Sequence, residues 1–490
     1  MTISFNEVPS NLRTPFVSAE FDNSNAIQGP SLQPYKILMM GSKLAAGTKA
    51  ALSLNLVTSA EKASEFFGAG SMLADMADAF LTENKINELY CVPLDDAGAG
   101  VASTGDILFS GSPTKAGTLR VYIAGKRAEI AVSVGQSLAS IVTDLAAVIT
   151  ADSSFLVTAA PNGVTVEQLD FVAKNDGEPG NDIDIRFNYY DGDETPTGLA
   201  HVVTAMTGGS GNPDLSTVFA VLDETQYLLM VSPFIDTANI SAVEAELALR
   251  FGPLKQNDGY CFYGAKGSLS ALNAIGDARN SQFSVINRAS GPSHPYRFAS
   301  GICGEVARAA SIDPARPFQT LVLSSVLAES DTEKLTLEER NILLHHGIAT
   351  SKVSDGGSVV IERIITTYKK NDAGADDVSY LDLNTLLTLS YLRYDFRNTF
   401  LRKYPRHKLA NDGTRYGSGQ AIMTPKVAKG EAINIFKAWE LLGLVEGVDQ
   451  FKNDLIIERS VTDVNRLDIL LPPDLVNQLR VVGVKIGFLL

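Results

Sequence analysis

Cysteine is scarce in this chain: Cys91, Cys261 and Cys303 are three thiols in 490 residues. An odd number spread so far apart excludes a disulfide framework and a CxxC metal knuckle. The expectation is three reduced and mostly buried thiols in a protein made and assembled in a reducing cytoplasm. No apolar run approaches the roughly 20 residues that span a bilayer. The opening MTISFNEVPS lacks the basic and apolar regions of a signal peptide. Positive charge is in deficit: 41 Lys and Arg stand against 56 Asp and Glu, a formal charge of −15. That balance argues against nucleic acid as a direct partner and for a soluble particle, although local patches can oppose the total.

Catalytic signatures are missing as well. There is no HExxH, GxSxG or Walker A pattern. Gly259–Lys266 has the first spacing of a P-loop, but Ala265 stands where a glycine must precede Lys266. Gly68-Ala69-Gly70 sits between two predicted helices rather than after a strand, so it reads as a helix–helix turn and not a phosphate cradle. His345-His346 closes a helix, where histidines meet the C-terminal dipole; adjacent residues do not share the face that i, i+4 zinc ligands need. Glu338-Glu339 reads as a solvated helix face rather than an acid/base pair. No catalytic residue, metal or cofactor is expected.

What is present is a long, ordinary globular composition. Apolar residues make up 45% and charged residues 20%, which rules out a largely disordered chain. The length suggests roughly two to four domains. Residues 1–34 contain Pro9, Pro15, Pro30 and Pro34 among scattered apolar residues Ile3, Phe5, Val8, Phe16, Phe21 and Ile27. This is too broken for a helix; composition leaves open an extended arm that needs a partner surface or a loose terminus. Residues 35–94 alternate strand, helix, helix, strand, as in an α/β layer with a right-handed crossover.

Residues 95–213 change to Gly, Thr, Val and Asp, with glycine-rich borders. They read as an inserted, mostly β domain with strands at Thr118–Ile123 and Val164–Leu169 and one helix, Ser137–Thr150. Its acidic clusters Asn175–Asp184 and Asp191–Glu194 lack the ligand order of an EF-hand and are expected to be solvated turns. Residues 214–330 return to alternation, with strands near Tyr227–Val231, Tyr260–Tyr263, Phe283–Asn287 and Gln319–Leu323. Helices near Ser241–Phe251, Leu269–Asn280 and Phe298–Ala310 separate them. This completes the sheet begun before the insertion.

The stretch Glu339–Leu409 organises the remainder. A helix ends at Gly347, and Gly356-Gly357 turns the chain into a strand, Ser358–Tyr368. Ser379 with Asp382 suggests a capping box for a helix that must finish before Pro405. Leu381, Leu386, Leu387, Leu389, Tyr391, Leu392, Tyr394, Phe396 and Phe400 surround that helix, so a core or interface position is expected. A last helix runs from Pro425, after a Thr424 cap, to Leu442. Its apolar sector is Ala428, Ala432, Ile435, Trp439 and Leu442; Lys426, Lys429 and Lys437 fall in another. These lysines, with Arg393, Arg397, Arg402, Lys403, Arg406 and Lys408, form either a solvated face or a surface for an acidic partner.

The chain ends in residues 475–490. Val482, Val484, Ile486, Phe488 and Leu490 alternate with a second set, a period-two pattern. A terminal strand of this kind pairs within its own sheet or with a neighbour's open edge.

The run GIATSKVSDGGSVVIERIITTY, then SYLDLNTLLTLSYLRYDFR and KYPRHKLA, resembles the C-terminal domain of contractile phage tail sheath proteins of the Mu-like group. SFNEVPSNLRTPFVSAEFDNSNA and VTSAEKASEFFGAGSML are similar to the same family, with Pro15-Phe16 where relatives often carry Pro-Gly. The resemblance is strongest over 1–94 and 339–490. It implies an α/β (α+β multidomain) fold: a tail-sheath-like mixed sheet core in two parts, 35–94 and 214–330, flanked by helices. To this it adds the 95–213 insertion, a C-terminal domain, 331–474, and extended arms at 1–34 and 475–490. It resolves the N-terminal segment as an arm. It further implies a virion structural subunit, assembled in the host cytoplasm as stacked hexameric rings linked by strand donation. The implied partners are copies of the same chain, a tail tube protein, and baseplate and tail terminator proteins, without membrane insertion. Contraction would drive the tube through the host envelope without a nucleotide. A tailocin or type VI secretion sheath is the neighbouring reading, and an α/β nucleotide-dependent enzyme is the reading from another class.

Overall fold

A strand in the middle of a parallel sheet has both faces covered by helices and tolerates little polarity. β1 (Lys36–Ser42, KILMMGS) fits that requirement, with six of its seven residues buried. The computed structural model describes residues 33–417 and 419–489. Pro34–Leu386 form one compact unit, and Leu387–Leu490 belong to a second. After β1 come β2 (Asn55–Val57), α1 (Ala60–Phe67), α2 (Met72–Glu83) and β3 (Glu88–Leu94). β3 lies parallel to β1 from Lys36 opposite Glu88 to Ser42 opposite Leu94. Ser59 and Ser71 cap the two helices through their side chains. The turn between them carries Gly68 at φ 91° and Gly70 at φ 77°, backbone that glycine adopts freely; it is the expected helix–helix turn. β2 was not legible in the sequence. It pairs antiparallel with β3 and forms an edge of the sheet.

The chain then leaves this sheet for β4 (Thr104–Gly111), β5 (Gly117–Ile123), β6 (Lys126–Val132), α3 (Leu138–Ala151), β7 (Val157–Pro161), β8 (Gln168–Ala173), β9 (Ile185–Phe187) and β10 (Leu199–Thr207). These make a four-stranded sheet ordered β10-β4-β8-β7 and a three-stranded sheet ordered β6-β5-β9. Two expectations need correction. Val164–Leu169 is not a strand: the Asn162 carboxamide accepts from the Val164 and Thr165 amides, making a turn, and β8 begins at Gln168. Asn175–Asp184 is not a solvated turn throughout, since Asn175, Pro179 and Gly180 are buried. Asn175 accepts from the Met72 amide at 2.9 Å and donates to the Lys43 carbonyl at 3.1 Å, holding this segment against the start of α2 and the end of β1.

The return segment supplies α4 (Ser216–Phe219), β11 (Leu229–Val231), α5 (Thr237–Phe251), β12 (Tyr260–Ala265), α6 (Leu269–Asp277), β13 (Ser284–Arg288), α7 (Pro295–Ala310), β14 (Val322–Leu323), α8 (Leu337–His345), β15 (Ile348–Val353) and β16 (Val359–Arg363). A nine-stranded sheet results, ordered β14-β16-β15-β13-β12-β11-β1-β3-β2. Its six central strands are parallel, and antiparallel strands close both sides. The near-P-loop Gly259–Lys266 is largely β12, wholly buried. A Cβ on Gly264 would meet the Pro295 carbonyl oxygen at 2.0 Å, so α7 approaches the sheet there as closely as glycine permits. The strand expected over Ser358–Tyr368 ends at Arg363, and Ile348–Val353 before it is also a strand, so the two form a hairpin. Glu339 is no bare solvated residue: with Thr336 it closes a reciprocal capping box at the start of α8. The three thiols are free and buried, as expected.

Charged side chains tie the β9 segment to the loop that follows β14. Arg186 reaches Asp184 and Glu333, the latter at 3.1 Å, and Tyr189 donates to the Ala328 carbonyl at 2.9 Å. Burial alone would raise the Glu333 pKa; Arg186 and Ser330 donors overcome it and hold it down to about 2. Nearby, Arg288 and Glu329 form a buried pair at 2.6 Å.

The second unit holds most of α9 (Leu383–Lys403), β17 (Lys408–Leu409), β18 (Ile422–Met423), α10 (Pro425–Leu441), β19 (Val445–Glu446), α11 (Val448–Asp454), β20 (Ile456–Arg459), β21 (Leu467–Leu470) and β22 (Asp474–Leu475). The expected Ser379/Asp382 cap gives way to other bonds. Ser379 donates to Asp377, Asp382 takes two bonds from Arg363, and α9 begins only at Leu383. Buried Trp439 donates to buried Asp395 at 2.8 Å, fixing α10 against α9. Leu442 departs from the expected apolar sector; as the C-cap of α10 it is 45% exposed.

His294 generates a prediction. It caps α7, its Nδ1 accepting from the Tyr296 amide, while Nε2 meets the Pro179 carbonyl at 2.7 Å. Nε2 is therefore the protonated nitrogen and the ring is neutral. Burial pushes its pKa down to about 3. Because the folded value lies below the unfolded one, the unfolded chain takes up an extra proton as pH falls, and stability drops. Relative to His294→Asn, which keeps a capping acceptor, the parent should lose about 1.4 kcal/mol per pH unit between roughly pH 6.5 and 3. Denaturant unfolding across that range measures it; identical pH profiles would contradict it.

Candidate assembly interfaces

An apolar segment in water is stable only if its side chains and backbone find partners. Val481–Leu489 finds none of either among the described residues. No strand pairing or backbone hydrogen bond is made there, and every residue is exposed. Val482, Val484, Ile486 and Phe488 are 71 to 84% exposed, and Val481 on the opposite parity is 86% exposed. Neither face of the period-two pattern is packed, and the segment pairs with no strand among the described residues. Leu490, like the arm residues Ile3, Phe5, Val8, Phe16 and Phe21, lies outside the described residues.

The same unit carries an under-built sheet. β20 and β21 pair antiparallel from Ile456 opposite Leu470 to Arg459 opposite Leu467, and no described strand joins either edge. Ile456 and Leu470 are more than half exposed. A two-stranded hairpin is marginal alone, and a further strand would complete it. Alternation in LDIL and the turn-forming SVTDVN before it were the signals that could have identified this hairpin.

The basic residues divide by environment. Arg397, Arg402, Arg406, Lys426 and Lys437 are exposed. Others are engaged within the unit: Lys403 pairs with buried Glu431 at 2.7 Å, Lys408 donates to Gln420 at 3.0 Å, and Lys429 donates to the Leu455 carbonyl at 3.0 Å. Arg393 is half-buried, with its pKa lowered by desolvation. Lys429 therefore stands apart from the other two lysines of its sequence stripe. Tyr404 also donates to Glu431, at 2.7 Å, and burial followed by that carboxylate pushes its pKa up. Residues 387–490 hold 15 Lys and Arg against 11 Asp and Glu, whereas the rest of the chain holds 26 against 45. The acidity of the protein thus lies outside its C-terminal unit. Among the described residues no group of three or more His, Cys, Asp or Glu is placed to hold a metal.

Comparison with known proteins gives a consistent answer. The phage tail sheath protein central domain matches residues 208–367, and the phage tail sheath C-terminal domain matches residues 375–488. The chain is 40% identical over 491 residues, covering 100% of both chains, to the Mu-like prophage FluMu tail sheath protein of Haemophilus influenzae. Among solved structures it is similar in fold to a sheath tail protein from Desulfitobacterium hafniense. That match has a TM-score of 0.51 and 13% identity, covering 94% of this chain and 97% of the other. A sheath tail protein from Listeria innocua matches with a TM-score of 0.48 and 10% identity, covering 92% and 94%.

An unpaired tail is open to protease. Trypsin should cut the free chain after Lys485 before it cuts the body, releasing Ile486–Leu490, with mass spectrometry as the readout. Survival of that tail until the body is digested would contradict the unpaired state.

Proposed function

The chain belongs to the phage tail sheath family, a structural protein of a contractile tail and not an enzyme, and from this we propose how it assembles and acts. Subunits stack as hexameric rings around a tail tube, and each donates its terminal arms as strands to neighbours. The single observation carrying this reading is the unpaired apolar tail in a chain whose β20–β21 hairpin has open edges. The tail adds to the hairpin of another copy, and the N-terminal arm with Ile3, Phe5, Val8, Phe16 and Phe21 makes the second link.

Magnitudes favour a cooperative joint. Each main-chain bond contributes about 1 kcal/mol net, and full burial of a Val, Ile or Phe side chain about 1.5–3 kcal/mol. Ordering each residue costs about 1–2 kcal/mol. Gain and cost are of similar size for one arm, so a single link is weak. Repeated in a helical, non-closing assembly, the links reinforce one another.

The exposed cations Lys426, Lys437, Arg397, Arg402 and Arg406 face an acidic tube surface, through charge contacts that separate when the sheath shortens. Baseplate and terminator proteins bound the assembly, which resides in the virion tail after assembly in the host cytoplasm. Residues 95–213 face outward as an inserted domain, since a tolerated insertion needs free space. Contraction releases strain set at assembly while the arms stay linked, and it drives the tube through the host envelope.

Two experiments test this. A chain lacking Val481–Leu490 should fold as the parent does by circular dichroism yet form no sheath with tube protein under electron microscopy; sheaths of normal length would refute strand donation. Reversing Lys426, Lys437, Arg402 and Arg406 to Glu should reduce tube co-sedimentation at least tenfold at about 0.15 M salt, where exposed charges still act over about 8 Å. Unchanged co-sedimentation would refute the tube-facing assignment.

A further inference from the structure

Residues 95–213 leave the large sheet and return to it through two crossings rich in glycine: Gly98 and Gly100 on the way out, Gly208, Gly209 and Gly211 on the way back. Gly208 and Gly211 hold φ of 83° and 79°, backbone that other residues adopt only with strain. The crossings meet at one antiparallel bridge, where Val101 and Ser210 exchange backbone bonds at 2.9 and 3.1 Å. Together they form a narrow two-chain neck. Segment 175–181 stays with this neck: the Gly177 amide donates to the Val101 carbonyl at 3.1 Å, and Asn181 exchanges bonds with Gly209 at 2.8 and 2.9 Å. The same segment carries the Asn175 and Pro179 anchors to the body. Next to it the Lys174 amide bonds the Leu156 carbonyl at 2.9 Å, where the Phe155 carbonyl approaches Gly70 too closely for a Cβ. Neck and anchors make one pivot.

Away from the pivot the seam between insertion and body is loosely built. Among the described residues no helix or strand of the insertion is laid broadly against a helix or strand of the body. Two cavities lie along the seam. One of about 490 Å³ is lined by Ile123, Lys126 and Phe155 from the insertion and by Asp78, Arg297 and Leu327 from the body. Another of about 500 Å³ is lined by Asp184, Val203 and Ala205 on one side and by Lys266 and Gly267 on the other. What closes the seam is a small polar set. Arg186 holds Glu333 at 3.1 and 3.2 Å, Lys266 holds Asp184 at 3.3 Å, and the Tyr189 hydroxyl donates to the Ala328 carbonyl at 2.9 Å. The four charged side chains are 17 to 36% exposed, so water competes for them. A junction of polar contacts with voids beside them, rather than a large apolar one, permits movement between the parts it joins. We propose that residues 104–207 swing as one module about this pivot, closed while Arg186, Asp184 and Tyr189 hold Glu333, Lys266 and Ala328, and open when those contacts part. The movement belongs to the single chain and does not rest on the sheath reading.

Double electron–electron resonance on the full chain tests this. Spin labels at Val164→Cys in the insertion and Leu254→Cys in the body occupy sites 92 and 99% exposed, while the three native thiols are buried away from the reagent. Relative to the parent, Arg186→Gln/Tyr189→Phe should raise the population at a second distance at least fivefold. A pair inside the insertion, Val164→Cys with Val202→Cys, the latter site 64% exposed, should keep one unchanged distance in both backgrounds. An unchanged Val164/Leu254 distribution in the variant would overturn the swing, since the module would then stay docked without its latch. Broadening of the internal pair would overturn it as well, because the insertion would then be unfolding rather than moving as one module. Either result would leave the sheath reading standing.

Discussion

A strand offers hydrogen bonds along both sides, and from Val481 to Leu489 neither side is used within the described chain. The assembly proposed above is built on that unmet requirement. The segment has the period-two apolar pattern of a strand but pairs with none of the described strands, and no described strand joins either edge of the β20–β21 hairpin. Within one subunit both remain incomplete. In the assembly proposed above, each copy supplies a donor and an acceptor, and copies joined head to tail have no natural stopping point.

The larger unit, Pro34–Leu386, is closely packed. Six parallel strands with buried side chains form the centre of the large sheet, and α7 packs so closely that Gly264 has no room for a Cβ. The inserted segment is held on by polar anchors: Asn175 on the Met72 amide, His294 on the Pro179 carbonyl, and Arg186 on Glu333. Breaking such anchors leaves buried groups unpaired, which costs about 1–3 kcal/mol each.

Much of this was legible in the sequence, and the reasons for the exceptions are physical. The strand, helix, helix, strand order of residues 35–94 follows from long periodic runs with serine caps, and Thr424-Pro425 announced α10. The motif GIATSKVSDGGSVVIERIITTY carries the family resemblance in the sequence itself. β2 and the β20–β21 hairpin escaped notice because three or four residues give too little periodicity to stand out. Ser379/Asp382 matched a capping pattern, but Arg363 competes for Asp382, a contact between residues that only the fold brings together. Lys429 shared a helical face with Lys426 and Lys437, yet the Leu455 carbonyl engages it. Likewise, Asn175 looked like a polar turn residue until its buried partners were known.

Amide hydrogen exchange on the subunit before and after assembly addresses the central claim most directly. The account predicts that Val481–Leu489 exchanges at nearly the rate of an unstructured peptide in the free chain. In the assembled sheath it should become protected by at least a hundredfold together with Ile456–Leu470. Strong protection of the tail in the free subunit, or continued fast exchange in the sheath, would contradict it.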